Sequence, residues 1–162
     1  MTLVSVIFCT FSATAAEPRA RAALPTGPVD AGRVLSARDP VGCAQLGNAD
    51  AALRDQLVPL TDPNLMPPWL PMRAAECLIE LYPHDPVTTT LAAGWLTDPG
   101  TLGLALTVAR KIDTFAAADA VKLAGSVMAL PEGADKERLR ARFAQSASPD
   151  VQAVVSPVAG AN

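Results

Sequence analysis

Apolar residues recur every three or four positions along most of the chain after residue 45, with charged residues between them. This is the period of a helix that buries one face. The pattern predicts helices at about 49–60, 71–81, 114–130 and 134–144. Two further helices are expected in the interval between 81 and 114.

The dipeptide Asp-Pro punctuates this pattern at 39–40, 62–63, 85–86 and 98–99. An Asp side chain accepts hydrogen bonds from the unpaired N–H groups of a helix's first turn, and Pro fits the first helical position because it has no N–H to leave unpaired. Each Asp-Pro is therefore interpreted as a helix-start signal, and the last two begin the helices expected between 81 and 114.

The composition favours an all-α domain. Half of the residues are apolar and only 4% are aromatic. Ala is abundant, and it packs helices closely but is depleted in strands. The expected core-facing residues include Val87, Leu91, Gly94 and Trp95 in the helix after 85–86, and Leu139 and Phe143 in the last helix.

The chain divides into four predicted segments. Residues 1–16 are interpreted as a signal peptide, because an uncharged apolar run is followed by ATAA, which suits cleavage by signal peptidase. An N-terminal core helix is the alternative. Residues 17–38, rich in Pro and Gly, are expected to be a flexible linker or arm, 39–146 a helical domain, and 147–162 a disordered tail.

Three cysteines bear on the compartment. Cys9 lies in the predicted signal peptide, so its removal leaves Cys43 and Cys77. An even number in an oxidising compartment predicts a disulfide. The bond would close a loop of about 35 residues and stabilise the fold by roughly 3–4 kcal/mol. The alternative is two buried thiols that pack as small apolar groups.

Two stretches of the helical region share a layout. Residues 53–63 (LRDQLVPLTDP) and 73–81 (RAAECLIEL) form the first, and 91–112 (LAAGWLTDPGTLGLALTVARKI) repeats its Thr-Asp-Pro. The layout resembles a HEAT repeat, in which a leucine-rich helix ends in an Asp-Pro turn and an Arg-Ala-Ala-rich helix follows. The resemblance implies a short α-solenoid of antiparallel helix pairs, with a third pair at 114–144. An irregular helical bundle is the alternative.

The resemblance also implies a protein partner bound along a curved surface. The segment between the two helices of the first pair is longer than the turn of a standard repeat, and it contains Leu65, Met66 and Trp69. If exposed, these side chains would form an apolar anchor of the kind found at the centre of protein interfaces. The alternative is that Trp69 packs into the core.

The sequence lacks the features that nucleic-acid binding, membrane insertion or catalysis would require. The net charge of −3 gives no footprint for nucleic acid, and the basic run at 136–142 is interpreted as the solvated face of a helix. No membrane span is expected once the signal peptide is removed. The only histidine, His84, lies in a Pro-flanked turn, which leaves a catalytic triad without a base. Glu76 and Glu80 are one helical turn apart on a wet face.

We therefore expect no catalytic residue, metal or cofactor. The predicted function is that of a non-catalytic protein-binding scaffold or adaptor in the cell envelope, periplasmic or secreted. The alternative is a small exported enzyme or ligand carrier.

Overall fold

The computed structural model describes residues 29–39 and 42–156, and all regular structure within these ranges is helical. The all-α prediction is confirmed. The helices are α1 Ala31–Ser36, α2 Ala51–Leu57, α3 Leu70–Leu81, α4 Pro86–Thr97, α5 Leu102–Arg110, α6 Ala117–Met128, α7 Ala134–Phe143 and α8 Pro149–Val155. Short 3-10 turns at Cys43–Leu46, Val58–Thr61, Pro99–Thr101 and Ile112–Thr114 join some of them.

Helices next to each other in the chain pack together, α2 on α3, α4 on α5, and α6 on α7. Alternate helices are also in contact: α3 with α5 and α5 with α7 in one series, α4 with α6 and α6 with α8 in another. Their facing sides form one core of mostly small and aliphatic side chains. Phe143 is fully buried in it, as the last-helix pattern predicts.

Two of the four Asp-Pro pairs begin a helix or helical turn, as the sequence predicts. Asp85 accepts a hydrogen bond from the N–H of Val87 and begins α4, and Asp98 accepts one from Gly100 and begins a 3-10 turn. Asp62 differs, because its carboxylate caps a local turn at the N–H of Asn64. The fourth pair includes Pro40, which lies outside the described residues.

The predicted buried stripe of α4 is wrong in part. Val87 is 41% exposed and Gly94 is also exposed, while Trp95 is buried as expected. The buried face instead includes Thr88 and Ala92. Because the sequence pattern treats Thr as polar, it places the stripe one position away from the face that meets α5 and α6. Thr carries a methyl group, and this lets it occupy a core position.

The predicted linker at 17–38 differs from the structure at its C-terminal end. Asp30 caps α1 through the N–H of Arg33, and Leu35 is fully buried. The side chain of Gln56 in α2 accepts a hydrogen bond from the N–H of Ala31 at 3.1 Å. A six-residue helix with two buried residues is too short to produce a visible period, which is why the pattern misses it. The predicted signal peptide, with Cys9, lies outside the described residues.

The predicted tail at 147–162 also contains a helix, α8. Ser148 caps it and Pro149 occupies its first position, so the start signal was present in the sequence. Val151 and Val155 are buried, and Arg140 Nε donates to the carbonyl of Val155 at 2.7 Å. No helix in the described part of the chain is both long and apolar enough to cross a membrane.

Candidate functional site

Exposed apolar side chains cluster at one place in the described residues. Met66 is 74% exposed, Met72 39% and Trp69 36%, and the fourth large apolar side chain that is exposed there is Val87. Large apolar groups in water mark contact sites when they occur together rather than singly. We name the group Leu65, Met66, Trp69 and Met72 the Trp69 surface.

Local turns hold the loop that carries this surface. The carbonyl of Asp62 accepts a hydrogen bond from the N–H of Leu65 at 3.1 Å, and that of Pro67 accepts one from Leu70 at 2.9 Å. Leu65 is half-buried and packs against the core. It therefore fixes the base of the loop, whereas the side chain of Met66 extends into solvent.

Trp69 and Met72 lie on the same side of α3 because they are three residues apart at its first turn. Met72 was not anticipated from the sequence, although its spacing from Trp69 was the available signal. Its Sδ lies 3.5 Å from the position that a Cβ on Gly103 would take. This is an ordinary van der Waals distance, so Met72 lies against α5.

Arg73 supports the indole of Trp69 from the protein side. Its guanidinium lies 5.7 Å from the ring centroid, within cation–π range. The same group donates from Nη1 to the carbonyls of Leu35 at 3.0 Å and Ala37 at 2.5 Å. One side chain therefore joins Trp69 to the C-terminal end of α1.

Cys43 and Cys77 are joined by a disulfide, as the sequence analysis expected. Their Cα atoms lie 5.2 Å apart, a usual distance for such a bond. Both residues are buried, so the bond ties the 3-10 turn at Cys43–Leu46 to the middle of α3 inside the core. This position is that of a structural bond.

Glu76 and Glu80, the two carboxylates one helical turn apart, both pair with Lys111. Lys111 Nζ lies 3.4 Å from Glu76 and 3.3 Å from Glu80, so it bridges α3 to the end of α5. Burial opposes the charge on Lys111, but the hydrogen bonds that it donates to Glu80 and Glu76 outweigh this effect and raise the pKa of Lys111. His84 is exposed in its turn. The described residues contain no cluster of His, Cys, Asp and Glu that could hold a metal ion.

The basic run of 136–142 does not form a single cationic face. Lys136 is buried and pairs with Glu132, and Arg140 contacts both Glu137 and the carbonyl of Val155. Only Arg138 and Arg142 are exposed cations of the run. The interpretation as a wholly solvated face was therefore incomplete.

Comparisons of the chain with protein-family models, with curated proteins and with solved structures find no match.

Proposed function

We propose that this protein is a non-catalytic adaptor that binds another protein through the Trp69 surface. The observation that carries the proposal is the concentration of exposed Met66, Trp69 and Met72 in seven residues. Trp is among the side chains enriched at positions that dominate binding energy, and Met adapts to irregular partner surfaces. Because Arg73 already orients the indole, the partner meets a side chain that has lost part of its conformational freedom.

We further propose that the helices form a short stack of HEAT type. The order of contacts supports this, because pairs α2–α3, α4–α5 and α6–α7 are linked through α3, α5 and α7. In such a stack each pair covers the apolar face of its neighbour. The turn within the first pair is the one that carries Met66 and Trp69, so an insertion in one repeat supplies the binding surface.

The compartment that we propose is the cell envelope or the exterior. A buried disulfide suits an oxidising compartment, and the apolar run before ATAA suits export. N-terminal sequencing of the protein recovered from its natural source should give a first residue at 16 or 17. A mature chain that retains the apolar run would contradict export by cleavage.

Site-specific photocrosslinking tests the adaptor. A photoreactive amino acid placed at Met66 in the full chain, in the cells that make it, should trap a defined partner protein. The same group at Val87 is the matched control, because Val87 is also an exposed apolar residue but lies at the start of α4. The adaptor predicts a crosslink from 66 and none to that partner from 87.

Two other outcomes would overturn the proposal. Equal labelling from both positions would indicate that exposed apolar residues capture proteins without selection. A crosslink from 66 only to a second copy of this chain would make the Trp69 surface a self-association interface, and the adaptor function would then fail.

A further inference from the structure

A groove of about 330 Å³ lies apart from the Trp69 surface. Four segments form it: the C-terminal end of α4, the start of α5, the α6–α7 connection and the first turns of α7. Its apolar walls come from Trp95, Leu96, Pro99, Leu102, Leu130 and Leu139. This volume is within the range of pockets that hold small molecules, and such pockets are mainly apolar with few polar groups.

One buried cation lines this groove. Lys136 is only 7% exposed, and its Nζ donates to Glu132 at 2.6 Å. Glu132, in contrast, has an 82% exposed side chain. The hydrogen bond from Lys136 lowers the pKa of Glu132. An ammonium has three donors, and the described contacts of Lys136 use one of them.

The pair is therefore asymmetric. Lys136 cannot move into water without leaving the groove wall, whereas Glu132 can swing into solvent at little cost because it is already exposed. Lys136 lies in the first turn of α7, and Glu132 precedes that helix by two residues, at the end where the helix dipole favours negative charge. Glu132 thus occupies a place that another carboxylate can take.

We propose that this groove binds a small apolar carboxylate, a free medium-chain acid, whose carboxylate replaces Glu132 on Lys136 and whose chain lies on the apolar walls. The liquid volume of a water molecule is roughly 30 Å³, so the groove holds about ten non-hydrogen atoms. Octanoate has this size. The ligand carries one negative charge only, because Lys136 is the one cation that lines the groove, while Asp98 and Asp135 also line it and repel any charge that Lys136 does not neutralise.

Calorimetric titration of the full chain with octanoate tests the site, with octanol as the matched probe that lacks the charge. Octanoate should bind saturably and more tightly than octanol, and its binding should shift the indole N–H signal of Trp95 in NMR but not that of Trp69. K136M should weaken octanoate binding about 10- to 100-fold, which corresponds to a hydrogen bond between charged groups, and leave octanol binding unchanged.

E132Q supplies the second test, since it removes the competing carboxylate without touching Lys136. It should strengthen octanoate binding up to about fivefold, the range of an exposed ion pair. Equal affinities for octanoate and octanol, or no gain in E132Q, would overturn the assignment. Shifts of Trp95 that depend on protein concentration without octanoate would indicate a second chain in the groove and would also overturn it.

Discussion

Arg73 lies over the ring of Trp69, 5.7 Å from its centroid, while its Nη1 donates to the carbonyl of Leu35. A carbonyl near the end of a helix has no partner within that helix, so a cation is a favourable donor for it. The guanidinium thus holds α1 against α3 and the indole against the protein with the same group. The position of the proposed binding residue depends on the docking of α1.

Replacement of Arg73 by Met should destabilise the protein by about 1–3 kcal/mol, because hydrogen bonds from a charged donor are lost while the side-chain volume remains. Tryptophan emission should also change, since Trp69 loses the cation while Trp95 keeps its buried surroundings. Chemical denaturation followed by fluorescence measures both effects. Arg33→Met is the control, as Arg33 is an exposed cation on α1. Equal effects of the two variants would contradict the role of Arg73.

Leu35→Ala should release α1 from the core. Leu35 is fully buried, and removal of a buried Leu side chain costs about 2–5 kcal/mol. Because α1 is short and has only two buried residues, we expect local release before global unfolding. Hydrogen exchange at 31–36 should become fast in this variant and remain slow in Val34→Ala, where the side chain is half-buried. Fast exchange in the unmodified protein would support the flexible arm that the sequence predicted.

The disulfide between Cys43 and Cys77 should contribute about 3–4 kcal/mol, because it shortens the loop available to the unfolded chain. A Cys43→Ala, Cys77→Ala double variant should melt at a lower temperature than the oxidised protein. A reductant should lower the melting temperature of the oxidised protein and leave that of the double variant unchanged. Mass spectrometry of the protein purified from its natural source checks the bond directly. Two free thiols in that sample would contradict it.

Asp85 makes the stability of the folded protein depend on pH in the acidic range. The hydrogen bond from Arg54, followed by that from the N–H of Val87, holds the pKa of Asp85 below its usual 3.8. The folded protein therefore binds this proton less readily than the unfolded chain. The stabilisation is complete well above pH 3.8 and is lost as pH falls through the lowered value.

Asp85→Asn keeps an acceptor for the helix cap but removes the charge that pairs with Arg54. The variant should be less stable than the parent near neutral pH, and the gap should close as the pH is lowered toward 2. Arg54→Gln should show the same trend. Urea unfolding at several pH values gives the difference, and a gap that stays constant down to pH 2 would argue against this ion pair.

The sequence predicts the long helices because apolar residues recur along them at helical spacing, and α4 also has a side-chain cap at Asp85. It also predicts the disulfide and the Leu65, Met66 and Trp69 loop, whose Pro-rich composition excludes a continuous helix. The sequence does not predict α1 and α8, because two buried residues in each helix are too few to show a helical period. Their place in the fold is decided by contacts with distant residues such as Gln56 and Arg140.

The remaining parts of the two sites depend on tertiary contact. Met72 lies against Gly103, a residue of another helix, and the three-residue spacing from Trp69 does not indicate that contact. The groove at Lys136 needs side chains from four segments between Trp95 and Leu139, and no local pattern brings these together. In sequence, Lys136 is one more residue of a basic run.

The affinity of the trapped partner for Trp69→Ala is the most direct test of the adaptor function. With purified partner and full-length chain, loss of a dominant Trp should weaken binding about 30-fold or more, equivalent to about 2 kcal/mol. Val87→Ala should bind like the parent protein. A Trp69→Ala variant that is folded and binds the partner with unchanged affinity would contradict the assignment of this surface.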